Sequence, residues 1–282
     1  MTTSVNVAVA ELVAVAEAVA REAGSLISDG RPGRVTVAAT KSSPADVVTA
    51  MDIASEELLR RRLAQLRPDD GVLGEEHGFL AGTSGITWVV DPIDGTVNYL
   101  YGQPSYAVSV AAVTGPAGVA PDPRTWTILA SCVHAPALGA TFTAGRGIGA
   151  FRDGVRLALG AGSADLSNCL IGTGFGYRTE RRAAQGRVVA ALLPRVRDIR
   201  RLGSAAVDLC LVAAGATDAH FERGRPPGDL AGGALVVTEA GGVVYALPGE
   251  PATDVMTVAG PPVVVERLTT ILTELHADSD GL

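Results

Sequence analysis

The chain has 282 residues, of which 47% are hydrophobic and 19% are charged, a composition typical of a globular protein with a sizeable core. Its formal net charge of −7 and its pI near 5.1 argue against a nucleic-acid-binding surface, because such surfaces cluster Lys and Arg. Three widely spaced cysteines favour reduced thiols over a disulfide scaffold, and the sequence shows no targeting signal. We therefore expect a cytoplasmic protein.

Two helices are predicted in the first quarter of the chain. The apolar stretch Val5–Ile27 is interrupted by charged residues and has no basic region before it, so it predicts an amphipathic or buried helix rather than a membrane span. A Gly/Pro turn at residues 30–33 follows. A second helix is predicted over Met51–Leu66, and Asp52 lies at its start. We expect no contact with a membrane.

The next predicted elements are strands. The apolar run Ile86–Val90 predicts a buried strand that ends at Asp91, because Pro92 cannot donate a hydrogen bond to a β-ladder. Later strands of a mostly antiparallel sheet are predicted over Ser105–Val113, Thr127–His134 and Ala140–Ala144. The glycines within residues 145–149 fit a hairpin better than a nucleotide-binding loop, since no helix opens after them.

After residue 160 the pattern changes to alternating strands and helices. The predicted elements are a strand at Cys169–Thr173, helices over Ala183–Val196 and Ser204–Ala214, a helix-like run after Asp229 that ends at Gly241, and a short run at Val243–Ala246. We predict an N-terminal α+β half over residues 1–160 and a C-terminal α/β half over residues 161–276. Residues 277–282 are expected to form a frayed tail.

The segment Trp88-Val89-Val90-Asp91-Pro92-Ile93-Asp94-Gly95-Thr96 carries most of the chemical information. It places two carboxylates at the end of a strand, where ligands usually bind in α/β sheets. The amides of Gly95 and Thr96 can bind an anion such as phosphate at a helix start. Because carboxylates and phosphate repel each other, the motif predicts a divalent cation between them.

Further acids occur at Asp52, Glu75, Glu76 and Asp229. All of these ligands are oxygen donors, which favours Mg²⁺ over Zn²⁺ or a soft transition metal. The histidines and cysteines show no paired spacing. Taken singly, the aspartates could be turn or cap residues and the glutamates a solvated pair.

The spacing of the two aspartates argues against a haloacid-dehalogenase-type phosphatase. That class uses Asp-x-Asp-Gly-Thr, whereas Pro92 and Ile93 separate the aspartates here. It also needs a lysine after the motif, and the lysine of this chain, Lys41, comes before it. A phospho-aspartate mechanism is therefore disfavoured.

The motif over residues 91–96, with Gly74-Glu75-Glu76 upstream and Asp229-Leu230-Ala231-Gly232-Gly233 downstream, resembles the inositol monophosphatase family of Mg²⁺-dependent, lithium-sensitive phosphatases. The segments at residues 41–52, 203–206 and 218–222 resemble the family as well, so the resemblance covers nearly the whole chain. It implies an α+β, layered α-β-α-β-α sugar-phosphatase fold and a homodimer. It also implies Mg²⁺-dependent hydrolysis of a small phosphate monoester, and inositol 1-phosphate is the first candidate substrate. Fructose 1,6-bisphosphate, histidinol phosphate, a phosphoadenosine phosphate and a regulatory role with weak activity are the alternatives.

The resemblance also implies individual roles. The metal ligands would be Glu75, Asp91, Asp94, Asp229 and the carbonyl of Ile93, holding two or three Mg²⁺. Thr96, with Glu75 and Asp52, would orient and deprotonate the attacking water. The substrate would contact Asp94, Gly95, Thr96, Ala205, Glu222 and Asp229.

The chain departs from the family pattern at one position, because Gly228 stands where a tryptophan normally precedes the distal aspartate. Whether Arg223 or Arg225 on the same loop meets the substrate stays open. Asp208 is interpreted as a buried structural acid. Lys41 either supports the fold or lies near the acidic site.

Overall fold

The computed structural model describes residues 2–33, 35–41, 43–44, 46–247 and 250–280. Its α-helices are α1 (Thr2–Asp29), α2 (Ala50–Leu66), α3 (Thr96–Tyr101), α4 (Thr179–Leu192), α5 (Ala205–Ala213), α6 (Pro227–Glu239) and α7 (Pro262–Glu274). Its strands are β1 (Val37–Thr40), β2 (Val47–Thr49), β3 (Gly71–Gly74), β4 (Gly78–Leu80), β5 (Ile86–Asp94), β6 (Ala107–Thr114), β7 (Thr127–Ala135), β8 (Ala140–Gly145), β9 (Gly149–Arg152), β10 (Val155–Arg156), β11 (Leu170–Thr173), β12 (Asp198–Arg200), β13 (Ala219–Glu222), β14 (Val243–Tyr245) and β15 (Thr257–Gly260).

The larger sheet has the strand order β10-β9-β8-β7-β6-β5-β3-β4. Its neighbouring strands run antiparallel except for β3 and β5, which run parallel, so the mostly antiparallel sheet is confirmed. Strands β6, β7 and β8 match the predicted strands to within about two residues. Strands β8 and β9 pair antiparallel from Gly145 opposite Gly149, which confirms the glycine hairpin.

Strand β5 is longer than predicted. It continues through Pro92 to Asp94 instead of ending at Asp91. The pairing with β6 shifts register between Asp91 and Asp94, so Pro92 lies in a bulge where a missing N–H breaks no regular ladder. The bulge carries both aspartates of the motif.

The smaller sheet has the order β12-β11-β13-β15-β14. Strand β11 runs parallel to β12 and β13, while β15 runs antiparallel to β13 and β14. Helix α4, which packs near this sheet, begins at Thr179 and ends at Leu192, whereas the sequence predicted Ala183–Val196. Its C-terminal end differs because Pro194 lies in a short 3-10 turn over residues 193–195.

The helices and sheets form five layers, which pack on one another through three hydrophobic clusters. Helices α1 and α2 pack on one face of the larger sheet, with Leu12 and Leu59 against Trp88. Helices α5 and α6 fill the space between the two sheets. Helices α4 and α7 cover the far face of the smaller sheet, with Leu192 and Leu268 in that cluster. This is the expected α-β-α-β-α arrangement of an α+β protein, and it is confirmed.

The segment after α7 is packed where the sequence predicted fraying. Ala277 is buried in the outer cluster, and the carboxylate of Asp280 accepts hydrogen bonds from Arg181 and Arg223. Gly281 and Leu282 lie outside the described residues. Among the described residues, no helix combines the length and the apolarity needed to cross a bilayer.

Candidate active site

Three carboxylates converge at the edge of the larger sheet. Glu75, Asp91 and Asp229 each offer one ligand atom, and these atoms lie within 4.8 Å of one another. The parallel pairing of β3 and β5 sets Gly74 opposite Val90, so Glu75, which follows β3, and Asp91, which lies within β5, come next to each other. Asp229 enters from the other side, in the first turn of α6.

The carboxylates of this cluster repel one another, which contributes to raised pKa values for Glu75 and Asp91. Burial, followed by repulsion from Glu75 and Asp229, raises the pKa of Asp91 well above its usual range. Burial and repulsion from Asp229 likewise raise the pKa of Glu75 to about 7, even though Lys41 opposes the shift. The cluster is therefore suited to a cation that would offset this repulsion.

Asp94 lines a cavity together with Glu75, Asp91 and Asp229. Its hydrogen bonds connect it to the C-terminal half of the chain. Its Oδ2 accepts hydrogen bonds from the Ser204 hydroxyl at 2.6 Å and from the Ala206 amide at 2.7 Å. Ser204 also caps α5 by accepting from the Val207 amide. The sequence placed Ser204 in the family-like segment 203–206 and at the start of a helix, but it did not predict the contact with Asp94.

Thr96 and Asp52 form a hydrogen-bonded pair beside the acids. The Thr96 hydroxyl lies 3.0 Å from Oδ1 of Asp52 and 3.0 Å from the carbonyl oxygen of Ile93. The other oxygen of Asp52 accepts from the amide and the hydroxyl of Thr49, which caps α2. Burial raises the pKa of Asp52 above its ordinary value.

Gly95 allows the backbone to turn between the strand and α3. Its φ is +92°, a left-handed conformation that side-chain-bearing residues rarely adopt. A Cβ at this position would lie 2.8 Å from the carbonyl oxygen of Ser105. Gly95 and Thr96 both line the cavity.

Two basic side chains contact the metal-ligand candidates. Lys41 donates from Nζ to Glu75 and Glu76, at 2.7 Å each. Arg225 donates from Nη1 to Oδ2 of Asp229 at 3.0 Å and pairs through Nη2 with Glu222. Lys41 thus lies in the site.

The predicted substrate contacts differ in their access to the cavity. Glu222 is buried, pairs with Arg225 and has His220 at 3.3 Å, and it is not among the residues that line the cavity. Ala205 is also buried, although its neighbour Gly203 forms part of the lining. Arg225 lines the cavity, whereas Arg223 extends towards Asp280. The substrate roles of Ala205 and Glu222 stay predictions.

Asp208, in α5, lies near the side chains of His220, Glu222 and Arg225. Burial raises its pKa to about 7, while His220 and Arg225 act in the opposite direction. Gly228 explains how closely α6 approaches β5, because a Cβ at this position would lie 3.1 Å from the Cβ of Asp91. The family position usually held by tryptophan is therefore in direct contact with a metal-ligand candidate.

The cavity above the acids has a volume of about 300 Å³. Its lining also contains residues that the sequence did not single out, namely Gly176, Tyr177, Arg178, Arg181 and Gly224. A larger apolar groove of about 710 Å³ lies between β14 and α7, and none of these acids lines it. We assign the chemistry to the acidic cavity because it contains the titratable groups.

Comparison with known proteins agrees with this geometry. The family model described as "Inositol monophosphatase family" matches residues 8–278. The inositol-1-monophosphatase SuhB of Mycobacterium tuberculosis is 44% identical over 241 residues, which cover 82% of this chain and 80% of that protein. The Nus factor SuhB of Escherichia coli is 38% identical over 228 residues, covering 80% and 81%.

A solved structure shares the architecture as well. The extragenic suppressor protein SuhB of Bartonella henselae superposes with a TM-score of 0.82 at 31% identity, covering 95% of this chain and 99% of that chain. The family match, the relatives and the fold agree with one another. The chain belongs to the inositol monophosphatase family.

Proposed function

We propose that the chain hydrolyses a small phosphate monoester in a Mg²⁺-dependent reaction, with inositol 1-phosphate as the first candidate substrate. The observation that supports this most strongly is the convergence of Glu75, Asp91 and Asp229 on one cavity. The name of the relative from Mycobacterium tuberculosis, an inositol-1-monophosphatase, supports the choice of substrate.

The donor set fits Mg²⁺. The available ligands are carboxylate and carbonyl oxygens, which this ion prefers, and the raised pKa values of Glu75 and Asp91 reflect a shortage of positive charge. The residues that would hold the ions are Glu75, Asp91, Asp94, Asp229 and the carbonyl of Ile93. When bound, Mg²⁺ would make water more acidic and would neutralise charge on the leaving oxygen.

Thr96 and Asp52 provide a route for the proton of the attacking water. The Thr96 hydroxyl would accept that proton and pass its own to Oδ1 of Asp52, 3.0 Å away. The raised pKa of Asp52 makes its carboxylate a stronger base than an exposed aspartate. The hydrogen bonds from Thr49 to the second oxygen hold the carboxylate in place.

The backbone at Gly95 and Thr96 would bind the phosphate. Its amides lie at the N-terminal end of α3, where unpaired N–H groups favour an anion. Such fixed donors stabilise charge that develops on the phosphoryl oxygens. The left-handed φ of Gly95 permits this close approach.

The organic part of the substrate would lie against the wall away from the acids. The resemblance assigns this contact to Ala205 and Glu222, and Arg225, which pairs with Glu222, lines the same cavity. Fructose 1,6-bisphosphate, histidinol phosphate and phosphoadenosine phosphates are the alternative substrates. We also propose a homodimer working in the cytoplasm.

Phosphate release from a panel of these esters tests the proposal. We expect turnover that requires Mg²⁺ and is fastest on inositol 1-phosphate. Faster turnover of another ester would change the substrate but keep the reaction, whereas no release from any ester would contradict the proposed function.

A regulatory role is the second candidate, because the relative from Escherichia coli is named a Nus factor. The variant Asp91→Asn separates the two roles, since it removes a metal ligand without changing the outer surface. If a strain lacking this protein is rescued by the variant as fully as by the wild type, the regulatory role is favoured. Failure of the variant to rescue favours the phosphatase.

A further inference from the structure

Two separate segments that carry none of the metal-ligand candidates form part of the cavity wall. One is the segment 176–181, which leads into α4 and contributes Gly176, Tyr177, Arg178 and Arg181. The other is the loop 223–226, of which residues 224–226 line the cavity. The two segments lie about 45 residues apart in the chain, so tertiary contacts alone set their relative position.

Arg181 fills the space between these segments. A Cβ at Gly224 would overlap its guanidinium, and a Cβ at Gly176 would lie 2.7 Å from its Cδ. Both glycines therefore leave room for one arginine side chain that lies against the backbone of each segment. The position of this side chain determines how far apart the segments stand.

Asp280 connects the two segments through charge. Its carboxylate accepts from Nη1 of Arg223 at 2.6 Å and from Nε and Nη2 of Arg181 at 3.2 and 3.4 Å. The Arg223 side chain is 8% exposed and Asp280 is 28% exposed. Without this carboxylate, the guanidinium groups of Arg181 and Arg223 would lose the anion that they share.

The loop has further contacts, among them those of Arg225, which donates to Asp229 and to the carbonyl of Phe175 and pairs with Glu222. The Gly224 amide donates to the carbonyl of Asp254, and Nε of Arg223 donates to the carbonyl of Val255. Both acceptors lie in a loop rather than in a helix or strand. A partly exposed ion pair adds little to global stability, so the contact of Asp280 matters mainly for the position of this wall.

We propose that Asp280 is a positioning residue that holds the substrate-facing wall of the cavity in place. This inference rests on the proposed phosphatase function. A displaced wall weakens contacts that the organic part of the substrate makes equally in the ground state and in the transition state, so KM rises while kcat stays nearly constant. Asp280 pairs with Arg223 and Arg181 rather than with a metal-ligand candidate, and the contact from the loop to Asp229 is made by Arg225, so we expect Mg²⁺ affinity to be unchanged.

The test compares Asp280→Ala with Asp278→Ala, which removes an exposed aspartate from the same segment. We expect Asp280→Ala to raise KM for inositol 1-phosphate about fivefold, with kcat within about twofold and Mg²⁺ affinity by calorimetry equal to the control. A KM equal to that of the control would overturn the proposal. A joint loss of kcat and thermal stability would also overturn it, because that result indicates a general structural role.

Amide hydrogen exchange keeps the two proposals separate. In Asp280→Ala we expect the amides of residues 223–225 to exchange at least about fivefold faster than in Asp278→Ala, whether or not the protein hydrolyses any ester. If the wild type releases no phosphate, the proposed function fails and the exchange result alone decides the role of Asp280. Equal exchange in the two variants would overturn that role even in an active phosphatase.

Discussion

The hydroxyl of Ser204 donates a hydrogen bond to Oδ2 of Asp94 across 2.6 Å, joining residues 110 positions apart in the chain. Asp94 ends a strand of the larger sheet, and Ser204 caps a helix between the two sheets. Asp229 likewise reaches the acids of the larger sheet from α6. The candidate active site is therefore assembled only when both sheets and the helices between them are packed together.

Replacement of a metal ligand tests the acidic cluster. Asp91→Asn keeps the size of the side chain but removes a charge, so we expect at least a hundredfold fall in activity, about 2.7 kcal/mol of transition-state stabilisation. Steady-state phosphate release measures the change, and Asp278→Asn is a matched control. Near-normal turnover in Asp91→Asn would contradict its role. The family resemblance also predicts inhibition by Li⁺.

A double-mutant cycle tests the proton route. Thr96→Val and Asp52→Asn should each lower kcat by about a hundredfold, within the range expected for general base catalysis. If both act on one proton, the double variant should be little worse than either single variant. Losses that add fully in the double variant would show that the two side chains act independently. Thermal unfolding of Asp52→Asn checks its separate role in capping α2.

Two glycine substitutions separate backbone strain from a steric clash. Gly95 and Gly118 both have positive φ, +92° and +75°, but only a Cβ at Gly95 meets neighbouring atoms within 4 Å. Gly118→Ala should cost about 1 kcal/mol of stability and leave activity unchanged. Gly95→Ala should cost more and abolish phosphate release, because the amides at the phosphate site move. Equal effects of the two variants on activity would contradict the assigned phosphate site.

The acidic cluster should give the metal-free protein an unusual pH dependence. The pKa of Glu75 is about 7 in the folded protein against an ordinary 4.5, so the fold binds protons that the unfolded chain has released. The free energy of unfolding should therefore decrease as pH rises from 4.5 to 7, and the stabilisation is fully present below that window. Thermal unfolding in chelator measures this. Saturating Mg²⁺ should weaken the trend, and a metal-free Tm that rises with pH would contradict it.

The buried pair of Arg225 and Glu222 should matter for stability. Arg225→Met removes the guanidinium from the buried carboxylates of Glu222 and Asp229, which should cost about 3 kcal/mol. The double variant with Glu222→Gln should recover most of that loss in chemical denaturation. Because the guanidinium is committed to Glu222 and Asp229, kcat/KM should fall equally on inositol 1-phosphate and fructose 1,6-bisphosphate. A selective loss on the bisphosphate would show that Arg225 holds a second anionic group.

The sequence was sufficient for the elements whose signals are local. Apolar alternation located β6, β7 and β8, and the helix predicted over Met51–Leu66 matches α2 almost to the residue. The end of β5 was wrong because Pro92 was judged by the rule for a regular ladder, while the bulge that tolerates it depends on pairing with β6. The layered fold came from the family resemblance, since periodicity does not specify how sheets stack.

The parts of the site that escaped prediction are long-range contacts. Tyr177, Arg178 and Arg181 have no motif of their own and reach the cavity only through the packing of α4. Asp280 was assigned to a frayed tail because the last residues of a domain are usually poorly ordered. Its partners, Arg181 and Arg223, lie 99 and 57 residues away in the chain.

Phosphate release from inositol 1-phosphate before and after exhaustive chelation tests the central claim most directly, because Mg²⁺ alone is varied on an unchanged chain. The acidic cluster of Glu75, Asp91 and Asp229 predicts that chelation abolishes release and that added Mg²⁺ restores it. Undiminished hydrolysis after chelation would contradict this assignment.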